Sequence, residues 1–390
     1  MRVLWLASWY PSKVNFLDGD FIERHATAAS LDNEILVIHV VKTGAPGQRG
    51  IIKEEKIYSD RLTAWIYYYP SYKQIGNWYD KLASSYWYLR LHFKAFHTYR
   101  WLYGKPAGIL VQAGLKAGIP AVWFKKFYGI RYLLFERWAG LLPEAIPNFS
   151  ELSLSKRWWW KRAIRHSSKL LTVSEYFARM IYQYHYKTDW MVIPNTVSPS
   201  FRYESRHRDS TLFQFIHVSN MDYQKNFEDQ LRATAILVQK STAFHLTVYG
   251  PIQEKISQLV KELGLQQYVS FRGEVSHAEI ATAMQDSDAL LLYSRYETFG
   301  NVVTEANACG LPVIVSDHPV FKEIMEEGVT GISVPGEKPA LLAACMEWMM
   351  NNPSHFDRQK ISDMVHEKYA PRHISQLFDQ VFQETFNPRR

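Results

Sequence analysis

Short apolar runs of strand length alternate with stretches of helical spacing along most of the chain. Residues 3–7, 35–40, 62–69, 107–112, 130–136 and 170–173 are such runs. Apolar at successive positions, they fit parallel strands covered on both faces. Helical spacing marks 21–31, 78–101, 113–128 and 155–167, and Ser174 followed by Glu175 reads as the N-cap of another helix. A polar, glycine-bearing loop spans 42–50, and Met191-Val192-Ile193-Pro194-Asn195 reads as a strand and turn. Pro, Ser and charge concentrate at 195–208, the expected interdomain linker.

The alternation then resumes. Strands are predicted at 212–218, 244–250, 269–272, 289–293, 312–316 and 331–334, with helices at 227–239, 252–263, 301–310, 339–350, 358–368 and 373–385. Ser276 with Glu279 forms a capping box at the start of a further helix. Repeated strand–helix units predict an α/β fold of two Rossmann-like, doubly wound domains facing a cleft. The expected boundaries are 1–195, 196–370 and a final helical segment, 371–390.

The densest chemistry lies in Ser294-Arg295-Tyr296-Glu297-Thr298-Phe299-Gly300-Asn301 and the helix that follows. Gly300 permits a sharp turn and a close ligand approach. The helix start at Asn301 offers unpaired N–H groups and a positive dipole end, a phosphate site. Glu297 precedes it and Glu305 lies about one turn inside. Two carboxylates repel a phosphate but accept hydrogen bonds from hydroxyls on either side of one. A nucleotide sugar has that layout.

Glu297, Phe299, Gly300 and Glu305-Ala306, followed by Gly310-Leu311-Pro312-Val313-Ile314, closely resemble the donor-site signature of the retaining, GT-B-fold glycosyltransferases of family four, or group one. The resemblance covers most of the second half in order and is weaker over the first. It implies that Glu297 holds donor hexose hydroxyls and Glu305 ribose hydroxyls, with Phe299, Gly300 and Asn301 at the donor. Lys225 fits the family's diphosphate lysine, after Ser219 and Asn220, and Asn220 stands where the family has an arginine. The missing cation would come from elsewhere, Arg137 or Arg295 being candidates. Gly19 matches the first loop that reaches the diphosphate, and Glu274 and Val275 the loop against the base. Glu136 and Arg137 occupy the segment where relatives commonly have Thr-Glu-His-Trp-Ser-Gly. Arginine stays protonated and is no general base. Arg137 is therefore expected to bond a donor hydroxyl or phosphate, and Glu136 to face the acceptor. Asp317-His318-Pro319 replaces the family's glycine pair. The resemblance also implies a last helix returning to the first domain and retained anomeric configuration. The acceptor hydroxyl would give its proton to the departing phosphate.

Composition narrows the partners. Net charge is +7 and aromatics make up 15%. From 67 to 103 aromatics interleave with Lys, Arg and His, and Arg157-Trp158-Trp159-Trp160-Lys161-Arg162 repeats the theme. Such mixtures suit an anionic membrane interface, or a helix packed between domains. With the resemblance they suggest a saccharide or lipid-linked acceptor in bacterial surface polysaccharide synthesis, lipopolysaccharide included. The donor would be UDP- or GDP-linked. No nucleic-acid module is visible, so no nucleic acid is expected. Cys309 and Cys345 offer neither a disulfide framework nor zinc spacing. Residues 2–8 are too short an apolar run for a signal peptide. The expected location is cytoplasmic, peripheral on the inner membrane face. Asp286-Ser287-Asp288 precedes its strand, unlike a metal motif, so no metal and no cofactor is expected. Rival readings are an epimerase or phosphorylase of the same fold, and a non-catalytic saccharide- or membrane-binding protein.

Overall fold

The computed structural model describes residues 1–16, 18–44, 50–73, 76–205 and 212–387. Eight strands form the first sheet: β1 (Arg2–Ala7), β2 (Glu34–Lys42), β3 (Ile52–Ser59), β4 (Leu62–Tyr69), β5 (Gly108–Gln112), β6 (Tyr132–Glu136), β7 (Leu170–Thr172) and β8 (Trp190–Val192). Their order is β3-β4-β2-β1-β5-β6-β7-β8, and only the β3–β4 pair is antiparallel. Helices α1 (Asp20–Ala29), α2 (Asn77–Tyr103), α3 (Gly114–Tyr128), α4 (Leu154–His166) and α5 (Glu175–Tyr184) connect them.

The second sheet is wholly parallel. Its strands are β9 (Phe213–Val218), β10 (Phe244–Tyr249), β11 (Val269–Gly273), β12 (Ala289–Leu292), β13 (Val313–Ser316) and β14 (Gly331–Val334), in the order β11-β10-β9-β12-β13-β14. Strands run outward in both directions from β9, the doubly wound order. Its helices are α6 (Phe227–Val238), α7 (Glu254–Glu262), α8 (His277–Gln285), α9 (Asn301–Ala308), α10 (Phe321–Ile324) and α11 (Pro339–Asn351), followed by α12 (Arg358–Tyr369) and α13 (Pro371–Phe386). The fold is GT-B, as expected.

β3 was not expected. Its sequence is polar and mostly exposed, and only pairing with β4 makes it a strand. Its Lys and Glu side chains suit an edge that must not recruit another chain. Residues 45–49 of the expected loop and 206–208 of the expected linker lie outside the described residues. Tyr67, Tyr68 and Tyr69 are buried in β4, so that part of the aromatic stretch is core rather than surface. Among the described residues no helix is long and apolar enough to cross a membrane.

The two chain crossings between domains lie side by side. Val197 N–H and Thr196 Oγ both donate to the carbonyl of Tyr369, each at 3.0 Å. α13 then packs across the first domain against α1. Phe378 is fully buried there, with ring centroids 5.5 Å from Trp5 and 5.2 Å from His25. Ser375 and Arg372 bind Asp32 at 2.7 and 3.0 Å.

Phe378→Ala removes a ring from this fully enclosed site and is expected to cost about 3–5 kcal/mol. Trp101→Ala, at a side chain 84% exposed, is expected to change stability by less than about 0.5 kcal/mol. Denaturant unfolding followed by circular dichroism checks both.

Candidate active site

In the second sheet β9 and β12 are neighbours, and the order reverses between them. Loops leaving their carboxyl ends therefore meet at the point where open α/β sheets bind ligands. The loop after β12 is sewn to the loop after β9. Arg295 N–H donates to the Gln224 carbonyl at 2.8 Å, and its guanidinium donates to the Tyr223 carbonyl at 2.6 Å. Arg295 also lies over the Tyr223 ring, 4.3 Å from its centroid. It is thus a fastener between loops.

These loops bring Lys225 and Glu297 together, Nζ to Oε1 at 2.5 Å. Glu297 is buried, and it also accepts from Ser294 Oγ at 2.9 Å and Gln224 Nε2 at 3.0 Å. A buried carboxylate needs such partners. A short turn capped by Asp222 presents Lys225, and Asn226, at φ 47°, redirects the chain into α6. Ser219 lies in the same loop, where its hydroxyl bonds His217 Nε2 at 2.6 Å and accepts from Met221 N–H at 2.9 Å. Asn220 is exposed, and its amide donates to Asp222 at 3.0 Å.

Gly300 has φ 97°, and a Cβ there would lie 2.9 Å from the Phe321 ring. Only glycine fits both constraints. It opens α9 toward the cleft. Phe299 turns away from the cleft into the core, 5.8 Å from the Tyr369 ring. Inside α9, buried Glu305 is held by a residue that sequence reasoning missed. Arg24 of α1 reaches across the cleft to it at 2.6 Å and is itself braced by Asp20 at 2.8 Å. The one signal for it was Asp20 and Arg24, one turn apart, directly after Gly19. Gly19 caps α1 at φ 76°, and a Cβ on it would meet the Trp9 backbone at 2.6 Å. Its place is therefore set by packing on the first loop.

Arg137 and Glu136 depart from expectation. Arg137 is buried, and its guanidinium donates to Gln112 at 3.0 Å, to Asn195 at 2.6 Å and to Nδ1 of His25. It also lies 3.8 Å from the Phe135 ring centroid. Burial and the neighbouring Arg137 hold His25 neutral, so His25 Nε2–H donates to the Pro194 carbonyl at 2.9 Å. Arg137 reaches the start of α9 through Asn195, whose amide donates to Asn301 Oδ1 at 2.7 Å. Glu136 is fully enclosed, accepting from the Gly114 N–H and from Trp160 Nε1, each at 2.7 Å. It faces no acceptor surface. Glu274 and Val275 lie beyond β11, at the sheet's edge, Glu274 exposed and Val275 partly so.

Further polar contacts join the domains around the loop between β12 and α9. Ser174 Oγ donates to the Thr298 carbonyl at 2.7 Å, and Glu323 accepts from the first N–H groups of α5, Glu175 and Tyr176, at 2.8 and 2.6 Å. The Ile146 N–H donates to Tyr296 Oη at 3.3 Å. Beside them lies a cavity of about 430 Å³ lined by Glu144, Ser294, Arg295, Asp317 and His318 among others. Asp288, by contrast, accepts from the Gln214 N–H at 2.7 Å where β9 begins, at the end of the sheet away from this cavity. Among the described residues no group of three or more His, Cys, Asp or Glu is gathered as a metal would need.

Residues 203–365 match the family described as "Glycosyl transferases group 1". The N-acetyl-alpha-D-glucosaminyl L-malate synthase of Bacillus anthracis is 29% identical over 170 residues, covering 43% of this chain and 44% of that protein. The match thus spans less than half of that relative's length. In overall structure the chain is similar to sucrose-phosphate synthase from Thermosynechococcus elongatus, with TM-score 0.79, 17% identity and 99% of both chains covered. It is also similar to HepE of Anabaena, solved in complex with UDP and glucose, with TM-score 0.72, 15% identity, and 98% and 100% of the two chains covered.

Burial pushes the Glu136 carboxyl up from its ordinary 4.5 to about 7, against the pull of the Gly114 and Trp160 donors. A raised carboxyl stabilises the fold below pH 4.5 and loses that contribution as pH rises through 7. Glu136→Gln keeps an acceptor oxygen and removes the charge. Its stability relative to wild type is expected to improve by on the order of 3 kcal/mol between pH 4.5 and 8. Urea unfolding across that range checks the sign and the window.

Proposed function

We propose that this chain, whose residues 203–365 match the group 1 glycosyl transferases, moves a hexosyl-type sugar from a nucleotide-diphosphate donor, UDP- or GDP-linked, to a saccharide or lipid-linked acceptor. One observation carries the reading. Glu297 and Glu305 flank the glycine-opened start of α9, at the point where the strand order reverses, with Lys225 on the first of them. Glu297 would then accept from the donor sugar's hydroxyls and Glu305 from the ribose. Lys225 and the N–H groups at the start of α9 would take the charge growing on the diphosphate. That supply of positive charge supports a metal-independent reaction. We read the transfer as retaining, the acceptor hydroxyl attacking from the leaving-group face and passing its proton to the departing phosphate oxygen.

Arg24 holds Glu305, so on this reading ribose hydroxyls replace Arg24. The polar contacts around the cleft would part to admit the donor and re-form over it, excluding water. UDP bound in the structural neighbour supports a uridine donor as the first to try.

Peripheral attachment to the inner face of a membrane is part of the proposal. Trp78, Leu82, Tyr86, Arg90 and Lys94 recur every four residues, with Trp101 seven further on, all exposed on α2. Each cation near an anionic surface contributes about 1 kcal/mol. That location agrees with a lipid-linked acceptor and a role in surface polysaccharide synthesis.

Thermal unfolding with UDP, GDP and ADP tests the donor site. One nucleotide at 100 times its dissociation constant is expected to stabilise wild type by about 2.7 kcal/mol and to leave Glu305→Gln unshifted. Equal stabilisation of the variant would overturn the ribose role. Lys225→Ala is expected to lower turnover by two orders of magnitude or so, the scale of losing one transition-state donor. The anomeric configuration of the first product, read by NMR, tests retention. An isomerised nucleotide sugar formed without any acceptor would favour an epimerase.

Anionic vesicles test attachment. Wild type is expected to co-sediment with them at low salt and to be released at high salt, and Trp78→Ala/Trp101→Ala to bind several-fold more weakly. Absence of co-sedimentation would overturn it.

A further inference from the structure

A second cavity, of about 810 Å³, lies in the first domain beside α4. Its volume falls in the range that takes a small-molecule ligand. Leu154, Arg157, Trp158 and Lys161 line it. These are positions i, i+3, i+4 and i+7, one face of the helix. The other face carries Trp160, Ala163 and Ile164 into the core, where a Cβ on Gly118 of α3 would lie 2.6 Å from the Ala163 methyl. The helix therefore has one face spent on folding and a second facing the cavity. Leu154 is 76% exposed, Trp158 54% and Tyr184, on the opposite wall, 55%.

The charge in the cavity is one-sided. Arg157 and Lys161 form no ion pair among the described residues. The Nε–H of Arg157 is buried without a hydrogen-bond partner. A buried donor left unsatisfied costs about 1–3 kcal/mol, which an anion of suitable position would recover. Exposed apolar rings and unmatched cations together describe a site for an amphiphile with an anionic head.

The cavity also has a direction. Leu142 and Pro143 form its rim, and the next residue, Glu144, lines the 430 Å³ cavity at the donor loops. Glu144 is tied there by Tyr176 Oη, at 3.1 Å. A molecule seated beside α4 therefore has a short path along this loop to the proposed site of transfer.

We propose that the α4 groove binds the lipid-phosphate end of a lipid-linked acceptor. Arg157 and Lys161 hold its phosphate or diphosphate, Leu154, Trp158 and Tyr184 hold the start of its apolar chain, and the saccharide extends past Glu144 toward the donor. The inference deepens the proposed transferase function and rests on it.

The test uses the full chain and three probes: farnesyl diphosphate, farnesol and inorganic diphosphate, measured by isothermal titration below micellar concentration. Farnesyl diphosphate is expected to bind at least about tenfold more tightly than either of the others, since both halves contribute. Lys161→Gln and Trp158→Ala, at exposed side chains, are each expected to weaken it about tenfold or more while leaving nucleotide stabilisation intact. Unchanged affinity in both variants overturns the groove. So does competition by UDP, which would place the probe at the donor loops. Binding seen only with whole anionic vesicles, and insensitive to both variants, would assign the cations to a membrane surface instead. Loss of nucleotide stabilisation in wild type with groove binding retained would count against the donor site, not the groove.

Discussion

Two buried carboxylates, eight positions apart on one turn and helix, must each be matched by a cation, and the cations come from different domains. Glu297 takes Lys225 from the neighbouring loop of its own sheet, and Glu305 takes Arg24 from α1 of the other. An unpaired buried charge would cost several kcal/mol. Much of the local structure follows from this requirement. Asn226 adopts a left-handed conformation where the turn presenting Lys225 ends. Gly19 has no side chain because α1, which carries Arg24, starts against the Trp9 backbone. Gly300 lets α9 start between the two acids with its N–H groups free of its own Cβ.

The core of the first domain is organised by a similar demand. Arg137 sits among aromatic rings and meets only neutral acceptors, Gln112, Asn195 and His25. His25 is held in turn by the Pro194 carbonyl, and Asn195 passes the constraint to Asn301 at the start of α9. A charged group buried without a carboxylate is tolerated here because each of the three guanidinium nitrogens has an acceptor. The residue that reads as a ligand contact in the chain therefore acts as a strut between the crossing segment at 194–195 and the start of α9.

Legibility followed sequence distance. The parallel strands were readable because burial on both faces writes itself as an unbroken apolar run, as in β12 and β13. β3 was not, because a polar edge strand owes its shape to β4 rather than to its own side chains. α2 was placed but runs to Gly76 and Gly104, the glycines that bound it. Lys225, Glu297, Gly300 and Glu305 stood out because each lies in a short motif with its own chemistry. Arg24, Ser174 and Glu323 did not, because their partners are more than a hundred residues away and only folding brings them together. Glu136 and Arg137 misled for a different reason. They sit where β6 ends, as ligand groups do, but Gly114, Trp160 and Asn195 supply inward partners that no local pattern announces.

The contacts that join the domains are of two kinds, and their placement governs how the molecule can move. Around the cleft they are polar: Arg24 to Glu305, Ser174 to Thr298, Glu323 to the start of α5. Such bonds exchange for water at a net cost of about 1–3 kcal/mol each when groups become exposed. On the far side the joint is apolar and continuous. Phe299 packs on Tyr369, one extended residue, Ala370, joins α12 to α13, and Phe378 anchors that helix beneath Trp5. Apolar contact has no such substitute in water. The polar rim can therefore part while the apolar contacts at Phe299, Tyr369 and Phe378 hold, and parting releases Glu305 from Arg24 without loss of either domain's core, whereas Glu297 keeps Lys225, which belongs to its own domain.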